Sequence, residues 1–267
     1  MSITFALLGP VRAHRDGREL RLGTPQQRGT LAVLLLRAGR LVTLDELVHA
    51  LWERPPETAV AAVRTYLSRL RRVLDAPPGR PRVRIDWRGG GYVLLAPAYS
   101  LDVTRFQQHT LRAADALRRA DLEAAAFELR GAVSLHRGRP LSGTAGRAFL
   151  DAHAVRLSEM CRDAALDLAA VTVDLGRPAE AVPRLRDLLA DHPLSERGHA
   201  LLITALYRAG HRPEALDHYR RTCRILDDQL GLAPGPDLRD LAARIARGEP
   251  DPGPAGDRTM LGTGTAR

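Results

Sequence analysis

Residues 57–75 read ETAVAAVRTYLSRLRRVLD, and residues 82–95, after a Pro/Gly break, read RVRIDWRGGGYVLL. In the first stretch apolar residues recur at steps of three and four, which predicts an amphipathic helix. Its predicted buried stripe consists of Val60, Val63, Leu67, Leu70 and Leu74. The second stretch alternates around three glycines and predicts a short basic hairpin. A basic helix followed by such a ribbon is typical of proteins that bind duplex DNA, because the helix can enter the major groove while the ribbon reaches the backbone or the minor groove.

The side of this helix opposite the stripe carries the residue types that contact bases and phosphates. Arginine can bond bidentately to guanine, and Ser, Thr and Tyr hydroxyls can bond to bases or phosphates. No acidic residue lies between Arg64 and Arg72, whereas a helix that is only solvated usually interleaves Glu with Arg. The candidate DNA-binding residues are Arg64, Thr65, Tyr66, Ser68, Arg69, Arg71 and Arg72. The alternative is a solvated, charged surface helix.

Alternation places different residues on the two faces of the predicted ribbon. Arg82, Arg84 and Asp86 fall on one face, and Val83 and Ile85 fall on the other. Arg88 stands next to the glycine tip, where a guanidinium can enter a narrow minor groove with its enhanced negative potential. Arg84 and Arg88 therefore complete the candidate DNA-binding set. A phosphate cradle is the weaker interpretation of the glycines, because no strand–loop–helix context and no lysine accompany them.

The distribution of charge supports a nucleic-acid partner for the first third of the chain. All 40 basic residues are arginine, and the formal net charge is +9. Residues 1–98 hold 16 Arg against 8 acidic residues, and residues 99–267 hold 24 against 23. Almost the whole excess therefore lies in the first part, which predicts a nucleic-acid-binding part followed by an electrically neutral remainder. A basic domain that is merely soluble is the alternative.

The order of the predicted elements in residues 1–96 is that of a winged helix. Alternating segments flank Asp16-Gly17, a pair that favours a tight hairpin turn. A helix is predicted over 25–38 with Gly39 as its stop, and Thr43-Leu-Asp-Glu46 fits the capping box of the next helix. An N-terminal hairpin, three helices and a closing hairpin make a winged helix in which the third helix is the recognition helix.

Residues 97–247 are predicted to be wholly helical, with helices near 102–119, 121–136, 148–175, 178–190, 195–209, 212–230 and 236–247. LGRPAEA at 175–181 recurs as AGHRPEA at 209–215, an offset of 34 residues, which is the tetratricopeptide period. Stacked helix pairs of this kind present a concave surface to partners. The fold class is therefore mainly α with small β-sheets: a winged helix over 1–96, a tetratricopeptide-like repeat domain over 97–247 and a disordered tail over 248–267.

Neither catalytic nor cofactor chemistry is predicted. The chain contains no GxxxxGK[ST], GxSxG or HExxH motif. His136, His153 and His199 are expected to be ordinary surface or partly buried residues, and His211 and His218 lie on predicted helices without evident partners. Cys161 and Cys223 are expected to be small buried hydrophobes, which leaves no metal site. The N-terminus lacks the pattern of a signal peptide and no apolar run reaches membrane-spanning length, so a cytoplasmic protein without membrane contact is expected.

Several stretches together resemble one known family. They are FALLGPV (5–11), LDELV (44–48) with ALW (50–52), RTYLSRLRRVL (64–74), RGGGYVL (88–94), FLDAHAVRL (149–157), HPLSERGHALLITALYRAG (192–210) and PEALDHYRRTCRILDDQLGLAPGPDL (213–238). The chain is identified on these as a member of the Streptomyces antibiotic regulatory proteins. In that family an OmpR-type winged helix precedes a helical bacterial transcriptional activation domain of tetratricopeptide-like repeats.

The resemblance implies an activator that binds direct repeats in double-stranded DNA upstream of a promoter, as side-by-side protomers that form a homodimer on the DNA. It further implies recruitment of RNA polymerase holoenzyme through its sigma factor, commonly at a secondary-metabolite gene cluster. The groove-reading role passes to Arg64, Thr65, Ser68, Arg69 and Arg72, and the minor-groove role passes to Arg88.

Two positions depart from the family pattern. Family members commonly carry tryptophan where this chain has His136 and Arg147, and the change puts the packing of that region in doubt. The competing hypothesis is a repeat scaffold whose basic N-terminal domain binds protein or RNA. A small ligand in the repeat groove is a third alternative, for which the sequence singles out no pocket.

Overall fold

The structure is a computed structural model that describes residues 3–74, 83–145 and 148–249. Within these residues it is mainly helical, with two small antiparallel sheets, which confirms the predicted fold class. The strands are β1 (Ile3–Ala6), β2 (Arg12–Arg15), β3 (Arg18–Glu19), β4 (Leu41–Thr43), β5 (Arg84–Arg88) and β6 (Gly91–Leu95). The helices are α1 (Pro25–Leu36), α2 (Leu44–Leu51), α3 (Ala59–Leu74), α4 (Asp102–Arg118), α5 (Leu122–Val133), α6 (Ala148–Asp174), α7 (Pro178–Asp191), α8 (Glu196–Arg208), α9 (Arg212–Leu230) and α10 (Pro236–Arg247).

The first sheet is an antiparallel meander in the order β1-β2-β3. Ile3 lies opposite Arg15, and His14 lies opposite Glu19. The turn between β2 and β3 is the predicted one: Asp16 has φ 50° and Gly17 has φ 82°. Two consecutive left-handed residues make the turn whose twist matches the twist of the flanking strands. The Asp-Gly pair therefore sets the register of this hairpin.

The two helices that pack against α3, α1 and α2, begin at side-chain caps. The Thr24 hydroxyl accepts a hydrogen bond from the backbone N–H of Gln27 at the start of α1. Thr43 and Glu46 form the predicted capping box at the start of α2, with reciprocal backbone hydrogen bonds of 2.8 and 3.1 Å. The bond from the Thr43 backbone and the nearby guanidinium of Arg37 lower the pKa of Glu46.

The buried face of α3 differs from the predicted stripe at one position. It consists of Ala59, Val63, Leu67, Leu70 and Leu74. Val60 was assigned to this stripe wrongly, because its side chain is 37% exposed. The helix begins at Ala59, which lies four residues before Val63 and so shares its face, whereas Val60 is rotated by about 100° from Ala59 around the helix axis.

The second sheet has the order β4-β6-β5 and carries the closing hairpin. Trp87 lies opposite Tyr92 and Ile85 lies opposite Leu94. Tyr92 in turn lies opposite Val42 of β4. Since side chains alternate along a strand, these five share one face of the sheet. Four of them are buried, so this face closes over the core of the winged helix.

The chain contacts divide the protein into two compact units. The first contains Met1–His109 and Gly131–Cys161, and the second contains Thr110–Arg130 and Arg162–Arg267. The first unit therefore continues past residue 96. The predicted boundary at 96 divides the chain differently and stays a prediction. Of the predicted tail, residues 250–267 lie outside the described part of the chain.

A backbone connection joins the two stretches of the first unit. The N–H of Arg137 donates to the carbonyl of Leu8 at 2.7 Å, and the N–H of Leu141 donates to the carbonyl of Leu7 at 3.0 Å. A Cβ on Gly9 would lie 2.8 Å from the carbonyl oxygen of Arg137, so only glycine allows this approach. Segment 131–161 is thus built onto the edge of the winged helix.

Asp102 stabilises the same region through a buried carboxylate. Its Oδ1 and Oδ2 atoms accept hydrogen bonds from the backbone N–H groups of Leu7, Leu8 and Val103 at 2.8 to 3.0 Å. Burial raises the pKa of this carboxyl, and the backbone donors oppose that shift by favouring the ionised form. The side chain therefore connects the end of β1 to the first turn of α4.

The second unit contains the predicted helical repeat. Gly176 and Gly210 have φ 74° and 86°, and each ends a helix in the left-handed conformation. Ala181 and Ala215, the small residues at equivalent repeat positions, are fully buried. The core of this unit is formed by apolar residues of α7, α8, α9 and α10 and of the last part of α6. The glycine and alanine of the motif therefore have the packing roles that the repeat predicts.

Buried His199 pairs with half-buried His218, which corrects the expectation for both residues. His199 is 2% exposed, and its Nε2 donates to the carbonyl of Pro193 at 2.8 Å. Its Nδ1 is therefore an acceptor, and the Nε2–H of His218 donates to it at 3.0 Å. The two rings come from α8 and α9, so separation in sequence concealed their pairing. Burial lowers the pKa of both, that of His218 to about 4.

We expect Asp102→Asn to lower the free energy of unfolding by about 1–3 kcal/mol, because an amide N–H₂ would then face backbone N–H donors in a buried site. Urea unfolding followed by circular dichroism measures the loss. The matched control is Asp121→Asn, at an exposed carboxylate that accepts a hydrogen bond from the N–H of Ala124. Asparagine caps helices as well as aspartate does, so the control should change little. Equal losses in the two variants would contradict the role given to Asp102.

We also expect stability to fall as the pH is lowered from 7 to 5. In this window an unfolded histidine of pKa about 6.5 takes up a proton, whereas folded His218 does not. His218 contributes at most about 2 kcal/mol to this loss, and less once solvent screening of its partly exposed ring is included. His218→Gln keeps an N–H donor without the titration, so its stability should depend less on pH in urea unfolding at each pH. The exposed His136→Gln serves as control and should retain the wild-type slope; a flattened slope there would refute the assignment.

Candidate nucleic-acid interface

The outer face of α3 is exposed and free of acidic residues. Its exposed residues include Arg64, Thr65, Ser68, Arg69, Arg71 and Arg72, and Tyr66 is half-buried at the edge. The sequence of the helix, AVAAVRTYLSRLRRVL, contains no Asp or Glu. The hydroxyl of Thr65 donates back to the carbonyl of Ala61 at 2.9 Å, which leaves its oxygen as an acceptor. The helix therefore presents several cationic donors and two hydroxyls on one surface.

Arg71 has an internal partner that the sequence did not indicate. Its Nε donates to the carbonyl of Ile85 in β5 at 2.8 Å. Its guanidinium carbon also lies 5.4 Å from the centre of the Tyr92 ring, a cation–π distance. Arg71 thus connects α3 to both strands of the closing hairpin. Any contact that it makes to DNA is left to its two terminal nitrogens.

The hairpin of β5 and β6, which we call the wing, ends in a defined tight turn. Arg88 pairs with Gly91, and the turn residues Gly89 and Gly90 have φ 51° and 90°. Both are left-handed conformations, which glycine adopts without strain. Gly91 has a different role, because a Cβ there would lie 2.7 Å from the carbonyl oxygen of Val42. Two glycines therefore shape the tip, and the third allows β6 to pair closely with β4.

The outer face of the wing carries a shared ion pair. The Oδ2 of Asp86 lies 3.1 Å from the Nε of Arg84 and 3.1 Å from an Nη of Arg88. Arg84 and Asp86 lie on one face of the strand and buried Ile85 lies on the other, which agrees with the predicted alternation. Arg82 lies outside the described residues. Each arginine side chain is 54% exposed, so the pairs are weak and the guanidiniums remain accessible.

Trp87 was missed in the sequence-based candidate set. Its side chain is 52% exposed, on the opposite face of the wing from Arg84 and Arg88. It packs edge-on against Tyr92, with 4.8 Å between ring centres and 71° between ring planes. The signal available in the sequence was its alternation with the arginines, which puts Trp87 on the face of Ile85 beside the turn.

Other chemistry receives little support from the described residues. Burial raises the pKa of the Cys161 thiol to about 12, so this thiol is a poor nucleophile. Across residues 3–74, 83–145 and 148–249, no three His, Cys, Asp or Glu side chains are grouped so as to hold a metal ion. Over the same ranges, none of the helices combines the length and the apolar character needed to cross a membrane.

Two family descriptions match successive parts of the chain. Residues 17–94 match "Transcriptional regulatory protein, C terminal", and residues 101–246 match "Bacterial transcriptional activator domain". The first covers the elements from β3 to the wing, and the second covers the helices from α4 to α10. Their order is the one implied by the sequence motifs.

Three curated relatives cover nearly the whole chain. Regulatory protein AfsR of Streptomyces coelicolor is 44% identical over 93% of this chain, which spans only a quarter (25%) of AfsR. Transcriptional regulator RedD of the same species is 36% identical over 93% of this chain and 71% of RedD. Transcriptional regulatory protein EmbR of Mycobacterium tuberculosis is 35% identical over 98% of this chain and 68% of EmbR.

A solved structure has the same fold. It is that of Mycobacterium tuberculosis EmbR in complex with a low-affinity phosphopeptide, with a TM-score of 0.87 and 35% sequence identity. The match covers 93% of this chain and 66% of the EmbR chain. With the two matched domains and the identity to RedD and AfsR, it shows that the chain belongs to the Streptomyces antibiotic regulatory protein family of transcriptional regulators.

Proposed function

We propose that this protein activates transcription by binding direct repeats in duplex DNA upstream of promoters and by recruiting RNA polymerase holoenzyme through its sigma factor. The proposed targets are genes of a secondary-metabolite cluster, as the likeness to AfsR and RedD suggests. The observation that carries the proposal is the acid-free outer face of α3 beside an arginine-bearing wing. Because its ligand is chromosomal DNA, the proposed site of action is the bacterial cytoplasm.

The spacing on α3 suits a base-reading role in the major groove. Thr65, Arg69 and Arg72 follow one another at steps of four and three, so they lie along one strip of the helix. Seven helical residues span about 10 Å, roughly the rise of three base pairs. Arg64 and Ser68 form a neighbouring strip at the same spacing. Arginines on such strips can bond to guanine or to the flanking phosphates.

The wing suits a contact in the adjacent minor groove. Arg88 stands at a turn of two glycines without bulky side chains, so its guanidinium can approach a narrow groove. Its exposed pair with Asp86 is weak and can be exchanged for phosphate or base contacts. Arg84 on the same face is placed to reach the backbone.

Direct repeats require protomers that bind in the same orientation. Two copies related by translation along the duplex make a head-to-tail contact, in which the surfaces that meet are different. Repeats that are separated by about one helical turn put both copies on one side of the DNA. The nearly neutral second part of the chain, with its stacked helices, is the proposed surface for polymerase.

Footprinting on the intergenic DNA beside its own gene tests this function. We expect two adjacent protected segments of related sequence in the same orientation, and extended protection when purified polymerase holoenzyme is added. An unrelated duplex should compete poorly. Equal competition by both duplexes would contradict sequence-specific binding and favour a scaffold whose basic N-terminal domain binds protein or RNA.

Arg69→Ala should weaken binding to the protected duplex by about 1–3 kcal/mol and relax base preference within it, because a bidentate base contact is lost. Fluorescence anisotropy of labelled duplexes with single base changes measures both effects. Arg184→Ala, at an exposed arginine of α7, is the matched control and should leave the affinity unchanged. If Arg69→Ala binds every duplex as wild type does at the same salt concentration, Arg69 does not read bases.

A further inference from the structure

Trp87 lies on the face of the wing whose Tyr92 also contacts Arg71 of α3, and we call the surface formed by these three residues the notch. It shares its face of the wing with Ile85 and Leu94, which are 4% and 0% exposed, but it is itself 52% exposed. Trp87 is therefore the exposed residue at the tip end of an otherwise buried apolar face of the wing. An exposed indole of this size gains free energy whenever a partner covers it.

The notch is fixed in place by two aromatic contacts. The Trp87 ring packs edge-on against the Tyr92 ring, with 4.8 Å between the ring centres. The guanidinium carbon of Arg71 lies 5.4 Å from the centre of the same Tyr92 ring. Arg71 belongs to α3 and also donates to the carbonyl of Ile85. The row Trp87, Tyr92 and Arg71 thus runs from the wing to the helix.

The proposed function determines which part of DNA faces this notch. With α3 in the major groove and the wing in the adjacent minor groove, the strand that separates the two grooves lies between them. That strand presents deoxyribose rings with apolar C–H faces, joined by phosphates. An indole can pack on the sugar while its N–H donates to a phosphate oxygen.

We propose that Trp87 is a DNA-backbone contact, in which the indole packs on a deoxyribose of the strand that separates the two grooves. The proposal rests on the proposed function. Charge complementarity favours this occupant, since the guanidinium of Arg71 borders the notch. A contact to sugar carries no base information, so Trp87 contributes affinity for duplex DNA of any sequence.

Three variants separate this role from base reading and from charge. Trp87→Ala should weaken binding on the order of tenfold, both to the footprinted duplex and to an unrelated duplex of equal length. The reason is that the exposed part of the indole, about half of its surface, would no longer be buried against DNA. The same variant should leave the salt dependence of binding unchanged, because no charge is removed. Arg88→Ala should instead flatten the salt dependence, and Arg69→Ala should reduce the preference for the footprinted duplex.

Fluorescence provides a readout that does not depend on a substitution at the site. The chain has two tryptophans, so Trp52→Phe leaves Trp87 as the only one. We expect duplex DNA to quench its emission and to protect it from acrylamide, in parallel with anisotropy of the labelled DNA. If Trp52→Phe fails to fold, the difference between wild-type and Trp87→Phe emission gives the same signal.

The outcomes distinguish the inference from the proposed function. Binding seen by anisotropy without change in Trp87 quenching, or with wild-type affinity in Trp87→Ala, would overturn the inference alone. A change in Trp87 emission that follows protein concentration without DNA, or that needs a duplex with two repeats, would identify a second copy of the chain as the occupant and also overturn it. Absence of binding to either duplex would remove the proposed function, and the inference with it.

Discussion

The hydrogen bond from Arg71 to the carbonyl of Ile85 determines how the two candidate DNA-binding elements are arranged. A helix and a ribbon can occupy neighbouring grooves only if their separation and angle match those of the duplex, and this bond joins them directly. The cation–π contact with Tyr92 connects Arg71 to the second strand of the wing as well, since Ile85 lies in β5 and Tyr92 lies in β6. Much of the conformational entropy that must be lost to fix α3 and the wing relative to each other is therefore lost on folding rather than on binding. This is the general advantage of a preorganised site.

The support beneath this arrangement reaches well beyond the winged-helix segment. Asp102 holds the backbone after β1 through several N–H donors, and segment 131–161 adds backbone hydrogen bonds at Leu7 and Leu8. These contacts explain why the compact unit that contains α3 includes residues as distant as Cys161. A fragment that ends at residue 96 would expose Leu7 and Leu8, which are fully buried here, together with their backbone N–H groups.

Much of the fold was predictable because its signals are local. The Asp16-Gly17 turn, the box of Thr43 and Glu46 and the glycine-to-alanine motif of the repeat each depend on residues only a few positions apart. Other features depend on residues brought together by the tertiary fold. The partners of Arg71, the pairing of His199 with His218 and the clash that requires Gly91 have no local signature. Val60 was misassigned for a related reason: it is apolar and correctly spaced, but the start of the helix decides which face is buried.

The carboxylate of Asp86, shared by Arg84 and Arg88, gives the wing a built-in counterion. Asp86 partly offsets the positive charge of the two arginines, so the wing can neutralise fewer phosphates than two unpaired arginines would. Ion release drives much of protein–DNA association, and its entropy varies with the ionic composition of the cell. On the proposed function, the contribution of the wing to the salt dependence of DNA binding is therefore smaller than that of two unpaired arginines.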